Sequence, residues 1–365
     1  MKIHILLPYK EKFDENKASS VSITVKNNLV YTSFLKEIKV YGQNVEKPLF
    51  KDNFVGINYN FFSFKSNNRF LADKMSSIIS KSSEKKQLIE IHNRPYLVDQ
   101  IVKKNNLPVS IFFHNDPQTM KGSKFVKDRE NILEKCVAVF CVSEYVKNRF
   151  IDGITIHNNK VHVLNNGVDR KIKKFPKKKK EILFVGRLVP EKGVDLYVEV
   201  IKSIAFNNPE WSFGLIGSFK LGEDKDKSSF AKMLIKKFNQ IGSQAKFYGF
   251  KNQDFVEQKM KTASIIVIPS LWQEPYGLVA AEAMSNGIAI IASKVGGIPE
   301  IIKENGILIE NINFEKLQKY LIKLIQDSKI RKTYQIKAWK NFNHSSKLSS
   351  EKLDNFRKII FNNFY

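Results

Sequence analysis

Cysteine is nearly absent: Cys136 and Cys141 are the only two in 365 residues. They flank the apolar stretch 137–140, which reads as a buried strand. Side chains five positions apart on one strand point to opposite faces, so no bridge is expected between them. So little cysteine in a chain of this size fits a reducing compartment, the cytoplasm. No apolar run approaches the roughly 18 residues of a membrane-spanning helix. The opening MKIHILLPYKEKF carries too short an apolar run for a secretory signal. The expectation is a cytoplasmic protein, soluble or peripheral on the inner face of a membrane. Neither a P-loop nor a G-x-S-x-G elbow is present. No cluster of His, Cys and carboxylates has metal-ligand spacing. The sole D-x-D, Asp224-Lys225-Asp226, lies in a Gly- and Lys-rich stretch and reads as a solvated turn.

Acid is also scarce. Asp and Glu number 36 against 61 Lys and Arg, a formal charge of +25. Such a field attracts polyanions: nucleic acid, anionic lipid headgroups or phosphorylated substrates. The abundance of Lys, Asn and Ile reads equally well as compositional bias of the source. The basic residues are scattered rather than striped and no DNA- or RNA-binding motif is found, so nucleic acid is not the expected partner.

Short apolar, β-branched runs alternate with longer amphipathic stretches along the whole chain. Candidate strands fall at 3–7, 38–41, 88–91, 109–113, 137–142 and 161–164, then at 182–185, 213–216, 246–248, 264–268, 288–292 and 307–309. Continuous apolar runs spaced by helices indicate parallel sheets covered on both faces. This is an α/β chain of two doubly wound, Rossmann-like domains, spanning 1–170 and 171–344. A last helix at about 345–365 is expected to pack back on the first. Between the domains, 169–180 reads as an exposed hinge, its RKIKKFPKKKK lacking any apolar period. Phe70, Leu71, Lys74, Met75, Ile78 and Ile79 fit one amphipathic helix, whose apolar face suits either an anionic bilayer or the core.

Chemistry concentrates at 265–302, IIVIPSLWQEPYGLVAAEAMSNGIAIIASKVGGIPEII. A buried strand ends at Pro269-Ser270, a loop carries Glu274, Pro275, Tyr276 and Gly277, and a helix follows. Carboxyl ends of strands in open α/β sheets are where ligands bind. Free amides at a helix N-terminus, with about half a unit of positive charge, suit a phosphate or sugar hydroxyl. Glu274 and Glu282 can each accept hydrogen bonds from hydroxyls, and Glu282 sits among Ala280, Ala281, Ala283 and Met284, where a merely solvated Glu is out of place. In a second cluster a strand ends at Gly186, and Arg187 and Lys192 follow, two cations able to neutralise a diphosphate. His114 ends an apolar strand in IFFHNDP, and His92 in EIHNRP has a similar setting; either can hold a hydroxyl. Ala18, Ser19 and Ser20 open a helix after the first strand, and small residues there can present amides to a phosphate.

The runs EPYGLVAAEAM and GGIPEI resemble the donor-binding signature of retaining glycosyltransferases with the GT-B fold. That large family includes bacterial lipopolysaccharide core transferases, phosphatidylinositol mannosyltransferases and sucrose synthases. FVGRLVPEKG is similar to its diphosphate motif, and Asn165 to Asp169, NNGVD, to its domain-junction motif. The resemblance implies two domains facing a cleft, with no cofactor and no metal, and a nucleotide sugar, UDP- or GDP-linked, as donor. It implies that Arg187 and Lys192 hold the diphosphate, Glu274 the transferred sugar and Glu282 the ribose. The amides of Tyr276, Gly277, Leu278 and Val279 would touch sugar or phosphate, Phe250 and Lys251 would lie by the base, and His114 by the reacting carbon. The family's first loop carries Gly-Gly where this chain has Ala18-Ser19-Ser20. The expected activity is transfer of a hexose to a glycan or glycolipid hydroxyl with anomeric retention, in lipopolysaccharide or other cell-surface glycan synthesis. The leaving phosphate would itself accept the acceptor's proton, so no protein nucleophile is assigned. A nucleotide-sugar epimerase or glycan phosphorylase would use the same fold.

Overall fold

The computed structural model describes residues 1–15, 17–59, 65–156, 159–219 and 228–365. Contacts divide the chain into two units, Met1–Gly167 with Ser346–Tyr365, and Val168–Ser345. Asp224 and Asp226 lie outside the described residues, as do Phe61 and Phe62.

The first unit runs β1 (Lys2–Leu6), α1 (Ser20–Tyr31), β2 (Ile38–Gln43), β3 (Phe54–Ile57), α2 (Asn67–Ile79), β4 (Gln87–His92), α3 (Val98–Asn105), β5 (Val109–Phe113), α4 (Val126–Lys135), β6 (Ala138–Cys141), α5 (Glu144–Ile151) and β7 (Val161–Val163). Its seven-stranded sheet has the order β3-β2-β1-β4-β5-β6-β7. All described pairings are parallel, with Ile3 beside Ile38 and Ile89 beside Val109. Continuous apolar sequence explains this: every residue of β4, β5 and β6 is buried, which requires cover on both faces. The order reverses between β1 and β4, and their carboxyl ends bound a natural crevice.

The second unit runs β8 (Lys179–Val185), α6 (Val194–Ala205), β9 (Ser212–Ile216), α7 (Ser229–Asn239), β10 (Ala245–Gly249), α8 (Gln253–Thr262), β11 (Ala263–Ile268), α9 (Leu278–Ser285), β12 (Ala289–Ser293), α10 (Ile298–Ile302), β13 (Ile307–Ile309), α11 (Phe314–Gln326) and α12 (Ser328–Lys340). Its six strands are ordered β10-β9-β8-β11-β12-β13, again doubly wound, with the reversal between β8 and β11. The core gathers Ile182, Phe184, Leu215, Ile265 and Val267 from the sheet and Tyr197, Leu234 and Leu321 from its helices.

The last helix, α13 (Ser346–Phe364), belongs to the first unit. Leu353 and Phe361 join that unit's core. Arg357 donates from Nε and Nη2 to both oxygens of Glu90, each at 2.8 Å and fully buried. Asp354 accepts from the Thr32 hydroxyl at 2.7 Å and from the Ser33 amide at 2.6 Å, closing the end of α1. Buried charges need such pairing to be tolerated.

Two expectations need correction, and two open readings are refined. Strand β3 is invisible to an apolar-run reading because it is a short edge strand with Gly56 exposed. Cys136 lies on the C-cap of α4, not on a strand; Cys141 ends β6, and both thiols are free and buried. The apolar face of α2 is core, since Leu71, Ala72, Met75 and Ile79 are buried, although Ile78 is exposed. The basic stretch 169–180 keeps most of its lysines exposed, as expected, and is anchored at several points. The Arg170 guanidinium lies 4.0 Å from the Trp339 ring centroid, Lys171 pairs with Glu257 at 2.8 Å, and Lys179–Lys180 open β8.

Candidate functional site

The switch point of the second sheet assembles most of the candidate residues. After β8 come Gly186 and Arg187, then a tight 3-10 turn, Pro190–Lys192. Gly193 ends that turn in the left-handed region (φ 65°), and a Cβ there would stand 2.0 Å from the Pro269 carbonyl oxygen. Only glycine lets the turn close against the loop that follows β11. The Leu271 amide then donates to the Glu191 carbonyl at 2.9 Å, fastening the two loops.

This contact delivers Lys192 to Glu274. The Lys192 Nζ donates to Glu274 Oε1 at 2.5 Å, and the Ser270 hydroxyl donates to the same oxygen at 2.6 Å. Glu274 is 7% exposed, so its charge is matched locally and not by water. Lys192 also lies 5.0 Å from the centroid of the exposed Trp272 ring. From below, the Gly297 amide donates to the Glu274 carbonyl at 2.7 Å, and the Gly296 amide to the Gln273 side chain at 2.7 Å. A Cβ on Gly296 (φ 54°) would stand 2.0 Å from the Glu274 carbonyl oxygen. The GGIPE turn is therefore the floor under Glu274.

Arg187 is exposed and has no ionic or hydrogen-bonding partner among the described residues. Beside the Lys192–Glu274 pair it is the uncommitted cation of this corner. Gly277 caps α9, whose first amides, Leu278 and Val279, have no carbonyl one turn back to bond. The Tyr276 ring is buried, with its hydroxyl 3.1 Å from His344 Nδ1, so only its backbone faces the loop. The carboxyl ends of β8, β9 and β10 line up: the Gly186 amide donates to the Ile216 carbonyl and the Gly217 amide to the Gly249 carbonyl. Phe250 follows that row, 39% exposed, and Lys251 sits 5.4 Å over the Phe255 ring.

Glu282 lies in the second turn of α9, half-buried between Ala281 and Ala283. Burial, then the nearby negative charge of Glu257, raises its pKa to about 7. No cation pairs with it among the described residues. A carboxylate crowded by apolar neighbours and without a cation binds a proton more readily than a solvated one.

In the first unit, two histidines read separately from the sequence form one pair. His92 Nδ1 lies 2.9 Å from His114 Nε2 with the rings stacked, and His92 also stacks on Phe112 at 4.4 Å. Burial lowers both pKa values, that of His114 to about 4, so both rings are neutral near pH 7. His92 Nε2 is buried without a partner among the described residues, which favours His92 Nδ1–H as the donor to His114, because a lone acceptor costs less than an orphaned N–H. Asn93 (φ 53°) holds the His114 amide through its side-chain oxygen at 2.8 Å.

Ser19 and Ser20 stand at the start of α1, Ser19 as N-cap and Ser20 exposed. The structure adds a residue there that sequence reading missed. The Glu11 carboxylate accepts from the Ser22 amide in the first turn of α1, facing the charge of Arg94. Burial nonetheless raises the Glu11 pKa. A protein carboxylate thus sits at the helix N-terminus that the sequence offered to a phosphate. Nothing in the local sequence signals this, since Glu11 and Ser22 meet only after the loop folds. Ser270 and Trp272 were likewise unassigned, although both lie inside the 265–302 segment.

Among the described residues no group of three or more His, Cys, Asp or Glu side chains is placed to hold a metal ion. None of their helices is long and apolar enough to cross a membrane.

With this geometry in hand, comparison with known proteins is informative. Residues 165–341 match the family Glycosyl transferases group 1, and residues 37–171 match Glycosyltransferase Family 4. An uncharacterized glycosyltransferase of Methanocaldococcus jannaschii, MJ1178, is 34% identical over 217 residues, 59% of this chain and 56% of that protein. The lipopolysaccharide 1,2-N-acetylglucosaminetransferase of Salmonella typhimurium is 24% identical over 60% of this chain and 58% of its own length. The chain thus spans little more than half the length of these relatives. Among solved structures, Anabaena HepE in complex with UDP and glucose superposes with a TM-score of 0.76 at 18% identity, covering 98% of this chain and 99% of that one. That likeness establishes the two-domain GT-B fold.

Proposed function

The chain belongs to the group 1 glycosyltransferases, and from that premise we propose that it moves a hexose from a nucleoside diphosphate sugar to an acceptor hydroxyl with retention of anomeric configuration. The observation that carries this reading is the corner between β8 and β11, where Lys192 pairs with buried Glu274, Arg187 follows the end of β8 without a partner among the described residues, and α9 begins just after Glu274. In this reading Arg187 and Lys192 meet the diphosphate. An ammonium has three donors, so Lys192 can keep Glu274 and still reach a phosphate oxygen. Negative charge grows on the leaving diphosphate as the glycosidic bond breaks, and each preorganised donor aimed at it is worth about 3 kcal/mol. Glu274, held in place by Lys192 and Ser270, accepts from sugar hydroxyls. Glu282 accepts from the ribose diol. The acceptor hydroxyl gives its proton to the departing phosphate oxygen, and neutral His114 holds a sugar hydroxyl near the reacting carbon. Two cations already serve the diphosphate, so the reaction proceeds without a metal and survives chelation.

The acceptor in this reading is a glycan or glycolipid of the cell surface, met on the inner face of the membrane. The Salmonella relative's activity on lipopolysaccharide supports that class. The test is product analysis with a panel of UDP- and GDP-sugars and lipid-linked acceptors, with the anomer assigned by NMR. Arg187→Ala and Glu274→Ala are each expected to lower transfer by 10²-fold or more, an order of magnitude taken from removal of single transition-state donors. Near-normal transfer by both variants refutes the site. Donor turnover without acceptor, or dependence on free phosphate, would instead indicate an epimerase or a phosphorylase.

A further inference from the structure

The excess positive charge is not spread evenly over the second unit. At the amino ends of β8 and β11, opposite the Lys192–Glu274 corner, lies a cavity of about 730 Å³. Its charged lining is Lys177, Lys178, Lys180, Lys329, Arg331 and Lys332, with no carboxylate among the lining residues.

Two of these cations are occupied. Lys180 reaches Glu210 at 3.3 Å, and Arg331 donates to the Leu324 and Ile325 carbonyls at 2.6 and 3.0 Å. The other four, Lys177, Lys178, Lys329 and Lys332, have no carboxylate partner among the described residues. Lys178 is pinned: its ammonium donates to the carbonyls of Asn286, Lys261 and Met260 at 2.7, 3.1 and 3.3 Å. Lys332 rests 3.9 Å over the Phe175 ring, close enough for its charge to act on Lys178. Burial first, and that neighbouring charge second, bring the Lys178 pKa down to about 7. Folding thus gathers like charges around one void and leaves them without a counterion, an arrangement that an anion relieves. Lysines bind phosphate oxygens as point charges, and several around one void suit a ligand of more than one negative charge.

We propose that this cavity is a second anion site that binds a ligand carrying two or more phosphate groups, separate from the donor corner of the same sheet. The same chemistry is offered by a free oligophosphate compound and by the headgroup of a phosphorylated lipid. The two are separated by calorimetry with inorganic tripolyphosphate and by sedimentation with vesicles containing phosphatidylinositol bisphosphate, both at physiological ionic strength. Lys329 and Lys332 are exposed, so Lys329→Gln with Lys332→Gln preserves the fold, checked by circular dichroism. The double variant is expected to weaken binding about a hundredfold, about one decade for each charged hydrogen bond lost. The component of binding that the double variant removes is expected to persist in Arg187→Ala, whose own loss is confined to the donor corner. Binding of tripolyphosphate alone identifies a soluble ligand, and binding of vesicles alone a lipid headgroup. The proposal is overturned if neither binds, or if binding is indifferent to the double variant.

Discussion

Lys192 and Glu274, 82 residues apart in the chain, share a 2.5 Å ion pair where the strand order of the second sheet reverses. The pair joins the two loops of the donor corner and sets the charge seen by an incoming diphosphate. Glu274 cancels much of the Lys192 charge until a ligand competes for it, while Arg187 stays free. Specific consequences follow from this arrangement and from the buried titratable groups around it.

Glu274→Ala leaves the partly buried Lys192 ammonium with no acid beside it. Breaking a fully buried pair costs about 3 kcal/mol or more, and with the Lys192 side chain 21% exposed about 2 kcal/mol is expected. Lys192→Met with Glu274→Gln should be less destabilising than the sum of its parts. A double-mutant cycle by urea denaturation measures this coupling, expected at about 1 kcal/mol or more.

Gly296→Ala places a methyl group 2.0 Å from the Glu274 carbonyl oxygen at a φ of 54°. The floor under Glu274 must shift. A stability loss of about 1–3 kcal/mol is expected from strain alone, together with weaker donor binding measured by calorimetry. Gly242→Ala, at a similar positive φ in open space, should lose stability without losing donor affinity.

Glu282 titrates near pH 7 because its carboxylate is poorly hydrated. Its folded pKa lies above the ordinary 4.5, so the folded state holds an extra proton between those values. Stability therefore falls as pH rises from about 4.5 to 7, by up to about 3 kcal/mol at 1.36 kcal/mol per unit. Glu282→Gln removes that loss and should raise Tm above pH 7. On the proposed reading it also weakens nucleotide binding, which separates its ligand role from a structural one.

The His92–His114 pair is neutral when folded and must take up protons to ionise. A histidine whose folded pKa is lowered loses stability as pH falls from the ordinary 6.5 towards the folded value, about 4 for His114. Acid lability of the first unit between pH 6.5 and 4 is expected, up to about 3 kcal/mol from His114 alone. His114→Gln should flatten that part of the curve in denaturation measured across pH. Proton NMR should show neither imidazole titrating near pH 7.

Much of the architecture was legible in the chain. Runs such as Val109–Phe113 and Ile307–Ile309 have no polar side to expose or sit between covering helices, and they are strands as the periodicity demands. The edge strand Phe54–Ile57 was not legible, because an edge needs no apolar run and its pairing with β2 is made by backbone. The anchoring of the basic stretch after Asp169 was not legible for a related reason. Composition suggests solvation, whereas Lys178 finds three carbonyls and Arg170 a ring face, partners distant in sequence.

The sequence by itself determined the two parallel α/β sheets, the likeness of the segment around Glu274 and Glu282 to a donor signature, and the excess of positive charge. These depend on residue types at short spacings, which a chain carries whatever its long-range contacts. The tertiary structure alone decided which groups meet. Lys192 closes on Glu274, His92 on His114, Glu11 on the first turn of α1, and Lys177, Lys178, Lys329 and Lys332 gather around one cavity. Charge and hydrogen-bond geometry act over a few ångströms in space, so their effects on pKa and binding appear only once folding has set those distances.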